Sequence, residues 1–207
     1  MSSGPSLVLG TYNRKKGEEL AHLFRSLDVL VQTLDVYPQA ISVTEDGDSF
    51  AANARLKATR QAVHLQRWVL GEDSGISVAA LHGEPGVYSA RFAGEAATDQ
   101  TNNQLLLEKL GDTPLDQRTA FYTCHMTLAD PQGEVRAESE SYCHGRMRFE
   151  PAGTNGFGYD PLFELHEYHQ TFGQLGSAVK SALSHRARAA HALLGQLRAL
   201  IREGQWT

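Results

Sequence analysis

The stretch from Trp68 to Leu81 constrains this chain most, because it places two adjacent acids at the end of an apolar run. The run predicts a buried strand that stops at Gly71, and Ser74-Gly75 predicts a turn before an alternating segment resumes. Glu72 and Asp73 would then lie beside the core, where neighbouring carboxylates repel each other and lose hydration. They need a cation or several hydrogen-bond donors, and a hard divalent ion is the simplest solution. The other interpretation is a solvated acidic turn between two strands.

Length and composition indicate an ordinary globular protein. The 207 residues fit one domain, or a domain with a small lobe, and contain 41% hydrophobic and 21% charged residues. No apolar run approaches the roughly 18 residues of a membrane span, and the N-terminal segment lacks the pattern of a signal peptide. We therefore expect a cytoplasmic protein with no membrane partner. A net charge of −5 argues against duplex nucleic acid as the main partner, because phosphate backbones favour a surplus of Lys and Arg.

The two cysteines are not expected to form a disulfide. Cys124 and Cys143 fall on two predicted strands joined by the turn Asp130-Pro-Gln-Gly133. If that turn centres the hairpin, Cys124 lies opposite a residue near Ser139, too far from Cys143 for a bond. Small buried thiols are the expected outcome.

The N-terminal segment has the outline of a phosphate site. A short strand, Leu7-Val-Leu, is followed by a polar loop from Gly10 to Lys16 and then by an amphipathic helix. The free N–H groups at the start of a helix attract anions, and Lys15 and Lys16 lie alongside. The Walker pattern is absent from the sequence. Two solvated lysines are the alternative.

A second helix is predicted after Asp48 or Ser49. Its narrow face of small residues allows close packing on a sheet. This face consists of Phe50, Ala54, Ala58 and Ala62. Lys57 lies near one edge of it and either meets an anion or extends its ammonium into water. Glu45, a few residues earlier, is a candidate third oxygen ligand beside the two strand acids.

The segment Glu150–Pro161 is predicted to be a long loop. Its glycines let the backbone approach a ligand closely, and Phe157 or Tyr159 can stack on a planar group. The glycine spacing does not match a dinucleotide fingerprint. The loop is therefore a candidate binding segment.

The last helix begins with cationic residues. Ser184 is a plausible N-cap, and His185 and Arg186 then occupy the first turn, where positive groups oppose the helix dipole. Lys180 lies one turn upstream. Together the three side chains predict a patch that only donates hydrogen bonds.

Six motifs in register resemble the inosine/xanthosine triphosphate pyrophosphatase family over almost the whole chain. In the first half they are Thr-x-Asn-x-x-Lys from Thr11, Asn-Ala-x-x-Lys-Ala from Asn53 and Glu-Asp-Ser-Gly from Glu72. The others are Pro-Gly-Val-Tyr-Ser-Ala-Arg from Pro85, Gly-Thr-Asn-Gly-Phe-Gly-Tyr-Asp-Pro from Gly153 and Lys-x-x-x-Ser-His-Arg from Lys180. Each motif alone is weak, but their order along the chain makes the resemblance strong.

The resemblance implies the fold, the partners and the reaction. The expected fold is α/β: an elongated central mixed β-sheet flanked by helices, in a single domain over residues 1–207 with two lobes and a cleft between them. A homodimer is expected. The implied activity is Mg²⁺-dependent hydrolysis of ITP, dITP and XTP, which are deaminated purine nucleotides, to the monophosphate and pyrophosphate. Such an enzyme would cleanse the nucleotide pool.

The resemblance also assigns roles to residues. Glu45, Glu72 and Asp73 are the implied Mg²⁺ ligands, and Asp73 is the implied base that deprotonates the attacking water. The implied substrate-binding residues are Thr11, Asn13, Lys16, Lys57, Ser74, Phe157, Gly158, Tyr159, Asp160, Lys180, His185 and Arg186. Hypoxanthine and xanthine carry an acceptor oxygen where adenine carries an amino donor, so the donors at Lys180, His185 and Arg186 would favour the oxo bases. Phe157 would stack on the base.

Two rival functions remain open at this point. One is a pyrophosphatase for modified pyrimidine nucleotides, which would share the metal and phosphate residues. The other is a sensor that binds nucleotides without hydrolysing them. The Ser-His-Arg turn argues against the first, and the complete acidic set argues against the second.

Overall fold

The computed structural model describes residues 5–206, which fold into a mixed β-sheet with helices. The strands are β1 (Ser6–Leu9), β2 (Leu30–Thr33), β3 (Val69–Val78), β4 (Thr119–Ala129), β5 (Val135–Met147), β6 (Phe163–Leu165) and β7 (Gln170–Thr171). The helices are α1 (Arg14–Phe24), α2 (Phe50–Leu65), α3 (Asp99–Leu110), α4 (Ser177–Leu183) and α5 (His185–Arg202). The predicted α/β class with a mixed sheet is confirmed.

The sheet has the strand order β2-β1-β3-β4-β5-β6-β7. Strand β1 pairs in parallel with β2 and with β3. At the other edge, β6 pairs antiparallel with β5 and with β7. The parallel strands are connected through helices, as parallel pairing requires.

The chain divides into two compact units. Unit 1 contains the described parts of Met1–Asp73, Cys124–Ser141 and Arg186–Thr207, and unit 2 contains Ser74–Thr123 and Tyr142–His185. In unit 1, aliphatic residues of β1 and α5 share a core with Trp68 and Trp206, whose rings stack with centroids 4.8 Å apart. Unit 2 has its own core, which includes the stacked rings of Phe163 and Phe172. The single-domain boundary and the cleft remain predictions.

The predicted turn at Ser74-Gly75 is wrong. Strand β3 continues through both residues from Val69 to Val78, so the two acids lie inside the strand. The prediction rested on Ser74-Gly75, a pair that is typical of turns. In the structure Glu72 and Asp73 have cationic partners, which removes the need to bring them to a solvated turn.

The small-residue face of α2 packs directly on β3, as the sequence predicts. Ala54, Ala58 and Ala62 are fully buried. A side-chain carbon added at Gly71 would collide with the backbone oxygen of Ala54 and would lie 2.7 Å from the backbone nitrogen of Ala58. Only glycine permits this spacing, and the close approach brings the side chains of α2 to the acids of β3.

Several other local predictions are confirmed. Ser49 caps α2 by accepting from the Ala52 N–H, and both cysteines are free and buried. The strands β4 and β5 fall where alternation predicted them. The sequence analysis did not predict helix α4. Among the helices between residues 5 and 206, none combines the length and the apolar character of a membrane span.

Candidate active site

The acids of β3 are the centre of a charged cluster in unit 1. Glu72 is 1% exposed and Asp73 is 6% exposed. Burial of this extent removes most hydration from a carboxylate, so the surrounding cations decide its charge state. The solvated-turn interpretation of the pair is therefore wrong.

Asp73 is bound on both of its oxygens by residues of α2. The Lys57 ammonium donates to Oδ1 at 2.8 Å, and the Asn53 amide donates to Oδ2 at 3.4 Å. Lys57 donates in addition to Glu45 Oε2 at 3.0 Å, so Glu45 and Asp73 share one cation. The predicted meeting of Glu45 with Asp73 is therefore present within unit 1.

The pKa values of this pair reflect burial and charge. Burial raises the pKa of the Asp73 carboxyl above its ordinary value, against the opposing effect of Lys57 and Lys16. Burial also works to lower the pKa of Lys57, but the charges of Asp73, Glu45 and Glu72 outweigh it and the pKa is raised. Lys57 thus stays charged, and Asp73 is a stronger base than an exposed aspartate.

Glu72 is held by a different set of cations. Lys16 Nζ lies 3.0 Å from Oε2, and Arg186 Nη2 donates to Oε1 at 3.0 Å. The Cys124 thiol also donates to Oε1, at 3.4 Å, and burial raises the pKa of this thiol well above its usual range. Arg186 continues the chain of charges, because its Nη1 donates to Glu19 Oε2 at 2.6 Å.

The start of α1 positions Lys16. Asn13 is the N-cap of this helix, and its side-chain oxygen accepts from the Lys16 N–H at 3.1 Å. Thr11 Oγ1 in turn accepts from the Asn13 N–H at 3.1 Å. Both residues therefore order the loop that the sequence assigned to phosphate. Ser74, the remaining predicted residue on β3, is half-buried and opens unit 2.

In unit 2, Asp160 organises the glycine-rich loop. Its Oδ2 accepts from the Lys180 ammonium at 2.6 Å and from the Phe157 N–H at 2.9 Å. Its Oδ1 accepts from the Tyr122 hydroxyl at 3.4 Å. The Lys180 nitrogen also lies 4.5 Å from the centre of the Phe157 ring. Asp160 thus fixes the half-buried aromatic ring that the sequence predicted to stack on a base.

Backbone geometry explains the glycines of this loop. Gly156 has a φ of +77°, and an added side-chain carbon would collide with the Asp160 carboxylate. Gly158 has a φ of +62°, and its N–H donates to Asp99 Oδ2 at 2.8 Å. Tyr159 is a buried anchor whose hydroxyl donates to the Ser89 carbonyl at 2.9 Å. Tyr159 therefore anchors the loop to the segment that contains Ser89.

The predicted donor-only patch is not what the structure contains. Lys180 binds Asp160, and Arg186 binds Glu72 and Glu19, because buried cations require acceptors. Lys180 and His185 belong to unit 2, whereas Arg186 begins the last segment of unit 1. The His185 ring is 3% exposed and stacks on Tyr122, with centroids 4.4 Å apart.

The described residues contain no cluster of three or more His, Cys, Asp or Glu side chains arranged to hold a metal ion. Two carboxylates of unit 1, Glu45 and Asp73, converge on the Lys57 ammonium. Carboxylate oxygens are the ligands that Mg²⁺ prefers, so the chemistry of these donors fits that ion.

Three residues that were not among the predicted site residues contribute to the two clusters. Glu19 binds Arg186, Asn53 binds Asp73, and Tyr122 supports both Asp160 and His185. Asn53 begins the motif Asn-Ala-x-x-Lys-Ala, so the sequence contained a signal that could have identified it. No local pattern distinguishes Glu19 from its exposed neighbour Glu18.

The fold and the charged cluster define an α/β protein with a buried set of lysines and carboxylates. The chain belongs to the Ham1 family, whose model matches residues 7–196. A dITP/XTP pyrophosphatase of Rhodopirellula baltica is 52% identical over 94% of this chain and 94% of its own length. Another, from Shouchella clausii, is 42% identical over 97% of this chain and 98% of its own.

A solved structure supports the same assignment. The Ham1 protein of Staphylococcus aureus superposes with a TM-score of 0.81 at 35% identity, covering 97% of this chain and 99% of that chain. The family resemblance inferred from the six motifs is confirmed.

Proposed function

We propose that this protein is a Mg²⁺-dependent nucleoside triphosphate pyrophosphohydrolase that converts dITP, ITP and XTP to the monophosphate and pyrophosphate. The observation that carries the proposal is the buried cluster on β3, where Asp73 and Glu72 are each bound by a lysine. The printed activity of the relatives, dITP/XTP pyrophosphatase, supplies the substrate class. Elimination of deaminated purine nucleotides from the nucleotide pool is the corresponding role.

The oxygen donors of unit 1 support a divalent cation. Glu45 and Asp73 are the best candidates to hold it, because they already converge on one positive charge. Glu72 is the third predicted ligand, but it is bound by Lys16 and Arg186. When bound, Mg²⁺ would neutralise charge on the triphosphate as water attacks the α-phosphorus.

Asp73 is the proposed general base. Its raised pKa strengthens it as a proton acceptor, and the hydrogen bond that Asn53 donates to Oδ2 orients the carboxylate. Proton transfer from a positioned water to such a carboxylate contributes a rate factor of roughly 10²–10⁴.

The lysines are the proposed phosphate ligands. Lys16 projects from the first turn of α1, next to the N–H groups that Asn13 and Thr11 order. Lys57 projects from α2 toward the acids. In phosphoryl transfer, most of the acceleration comes from positioning and from cations placed around the phosphates.

Base recognition is assigned to the loop of unit 2 and to the start of α5. Phe157 is the proposed stacking ring, and His185 is the proposed donor to the six-oxo group. Lys180 and Arg186 already donate to carboxylates. A site that leaves its donors unpaired against adenine discriminates by about 10⁴-fold. A homodimer and a cytoplasmic location remain predictions from the sequence.

One assay tests the reaction and its rivals together. The full chain is incubated with Mg²⁺ and ITP, dITP, XTP, ATP or a modified pyrimidine triphosphate, and pyrophosphate and orthophosphate are both measured. We expect pyrophosphate from the three deaminated purine nucleotides and little turnover of ATP. Orthophosphate alone would contradict attack at the α-phosphorus. Preference for the pyrimidine would support the first rival, and binding without turnover would support the sensor.

A further inference from the structure

We propose that the Lys57 ammonium is a built-in substitute for the divalent cation: it holds Glu45 and Asp73 together in the metal-free protein and must leave before a metal can bind them. This inference deepens the proposed metal-dependent function and rests on it. It concerns a step that precedes the reaction, the exchange of one cation for another.

The contacts of Lys57 carry the inference. Its single nitrogen is 2.8 Å from Asp73 Oδ1 and 3.0 Å from Glu45 Oε2, and the side chain is 11% exposed. Asp73 Oδ2 is engaged by Asn53. A metal that takes Asp73 Oδ1 and Glu45 Oε2 as ligands therefore needs the oxygens that the ammonium now occupies. Two cations at this place would repel each other strongly, because burial weakens screening.

Lys57 is also the cation best suited to leave. It carries one compact charge on a flexible four-carbon stem, and its backbone is anchored in α2, which packs tightly on β3. The side chain can thus move while the helix stays in place. Triphosphate oxygens are a natural new partner for the displaced ammonium.

Arg186, one of the two cations that bind Glu72, is less able to leave its partner than Lys57 is. The Arg186 guanidinium is 2% exposed and is bound by two carboxylates, Glu72 and Glu19. The rigid, planar guanidinium holds both contacts at once. Glu72 therefore keeps a permanent positive partner, whereas Glu45 and Asp73 share one that can be exchanged.

Competition with a resident ammonium lowers the apparent affinity for metal. Removing the ammonium while keeping both carboxylates must therefore increase that affinity, even without nucleotide. The gain has to depend on Asp73, because the freed oxygen belongs to it. The quantity to measure is therefore the affinity for metal, and not the rate of turnover.

The experiment is a Mn²⁺ titration of the full chain without nucleotide, followed by the electron paramagnetic resonance signal of free Mn²⁺. Lys57→Gln removes the ammonium. Lys57→Arg keeps a positive charge, and Arg60→Gln removes an exposed cation of the same helix. We expect Lys57→Gln to bind Mn²⁺ at least tenfold more tightly than the wild type, and the two controls to bind as the wild type does. Equal affinity of the wild type and Lys57→Gln, or an equal gain in Arg60→Gln, would overturn the proposal.

A second comparison locates the ion. Adding Asp73→Asn to Lys57→Gln should abolish the gain, and a gain that persists would place the ion elsewhere and overturn the proposal. If Lys57→Gln does not fold without metal, thermal melting across a Mn²⁺ series replaces the titration. Folding restored by Mn²⁺ supports the exchange, and failure of Mn²⁺ to restore it contradicts the exchange.

These outcomes separate the two proposals. A wild type that releases pyrophosphate, combined with no gain in Lys57→Gln, leaves the enzymatic proposal intact and refutes the exchange. A clear gain in Lys57→Gln, with no turnover of any triphosphate by the wild type, supports the exchange and refutes the enzymatic proposal.

Discussion

Asp73 is buried and accepts two hydrogen bonds, one from Asn53 and one from the lysine that it shares with Glu45. Its proposed role in catalysis is to accept the proton of the attacking water. Asp73→Asn keeps the size of the side chain but removes the proton acceptor. We expect turnover of dITP to fall by a factor of roughly 10²–10⁴, with nucleotide binding still measurable by calorimetry. The control is Asp46→Asn, which changes an exposed carboxylate of the same unit. A near-normal rate in Asp73→Asn would remove Asp73 from its role.

Arg186 is expected to stabilise unit 1 whatever it does for the substrate. Arg186→Met removes the guanidinium and leaves Glu72 buried with one fewer cation. Breaking a buried ion pair from one side costs about 3–5 kcal/mol, so the free energy of unfolding in urea should fall by about 3 kcal/mol. Arg198→Met, at an exposed position of the same helix, should change it by less than about 0.5 kcal/mol. Equal effects of the two substitutions would contradict the proposed difference.

At the scale of single residues, the sequence identified types of side chain better than their partners. Residue pattern made Glu72, Asp73, Lys57 and Lys16 candidates, and the family resemblance implied their roles. These four side chains form one cluster. Glu19 was not selected, because its role depends on the approach of α1 to the start of α5, a contact 167 residues apart. Contacts of that separation leave no periodic signal in one sequence.

The packing of α2 on β3 makes a prediction at the level of elements. Gly71→Ala places a carbon against the backbone of α2, which cannot yield as a flexible side chain would. Overpacking typically costs about 1–3 kcal/mol, and we expect the upper end of that range. We also expect weaker dITP hydrolysis, because a shift of α2 moves Asn53 away from Asp73. Gly195→Ala is the matched control, because an added carbon there meets nothing within 4 Å. That helix position should gain up to about 1 kcal/mol.

Glu138 links β5 to α2 and gives unit 1 a dependence on pH. Hydrogen bonds from Arg55, opposed by burial and assisted by Thr127 and His125, lower the pKa of Glu138 to about 2. The unfolded value is about 4.3, so the contribution to stability is complete above about pH 5 and is lost as the pH falls toward 2. Because Arg55 is half-exposed, solvent limits the contribution to about 1 kcal/mol.

Substitution of Glu138 tests this contribution. Glu138→Gln should lower the free energy of unfolding by about 1 kcal/mol at pH 6, and the difference from the wild type should shrink steadily below pH 5. Unfolding in urea at a series of pH values measures it. Glu134→Gln, at an exposed position just before β5, serves as the control. A difference that stays constant down to pH 3 would show that Glu138 acts through packing and not through its charge.

The same elements show how far local patterns predict a fold. Alternation placed β4 and β5 closely, and four-residue spacing gave the buried face of α2. The turn within β3 failed, because local rules assign a Ser-Gly pair after two acids to a loop. The cations that keep these acids in the strand come from α1, α2 and α5, which no window around Glu72 contains.

At the scale of the whole molecule, three strands are shared by the two units. Strand β3 passes from unit 1 to unit 2 after Asp73, β4 passes back after Thr123, and β5 crosses again after Ser141. Each of these strands has residues in both units, so opening one unit disrupts strands that continue into the other. We therefore expect the two units to unfold together, although each has its own core.

The two cysteines report on the two units separately. Cys124 lies in unit 1 and Cys143 in unit 2, and both are buried, so a thiol reagent reaches each one only when its unit opens. In the variants Cys143→Ala and Cys124→Ala, the remaining thiol is labelled over a urea series. The midpoint should coincide with that of tryptophan fluorescence, which reports unit 1 through Trp68 and Trp206. Each labelling midpoint is compared with the unfolding midpoint of the same variant. Labelling of Cys143 at a lower urea concentration than that midpoint would mean that unit 2 opens alone.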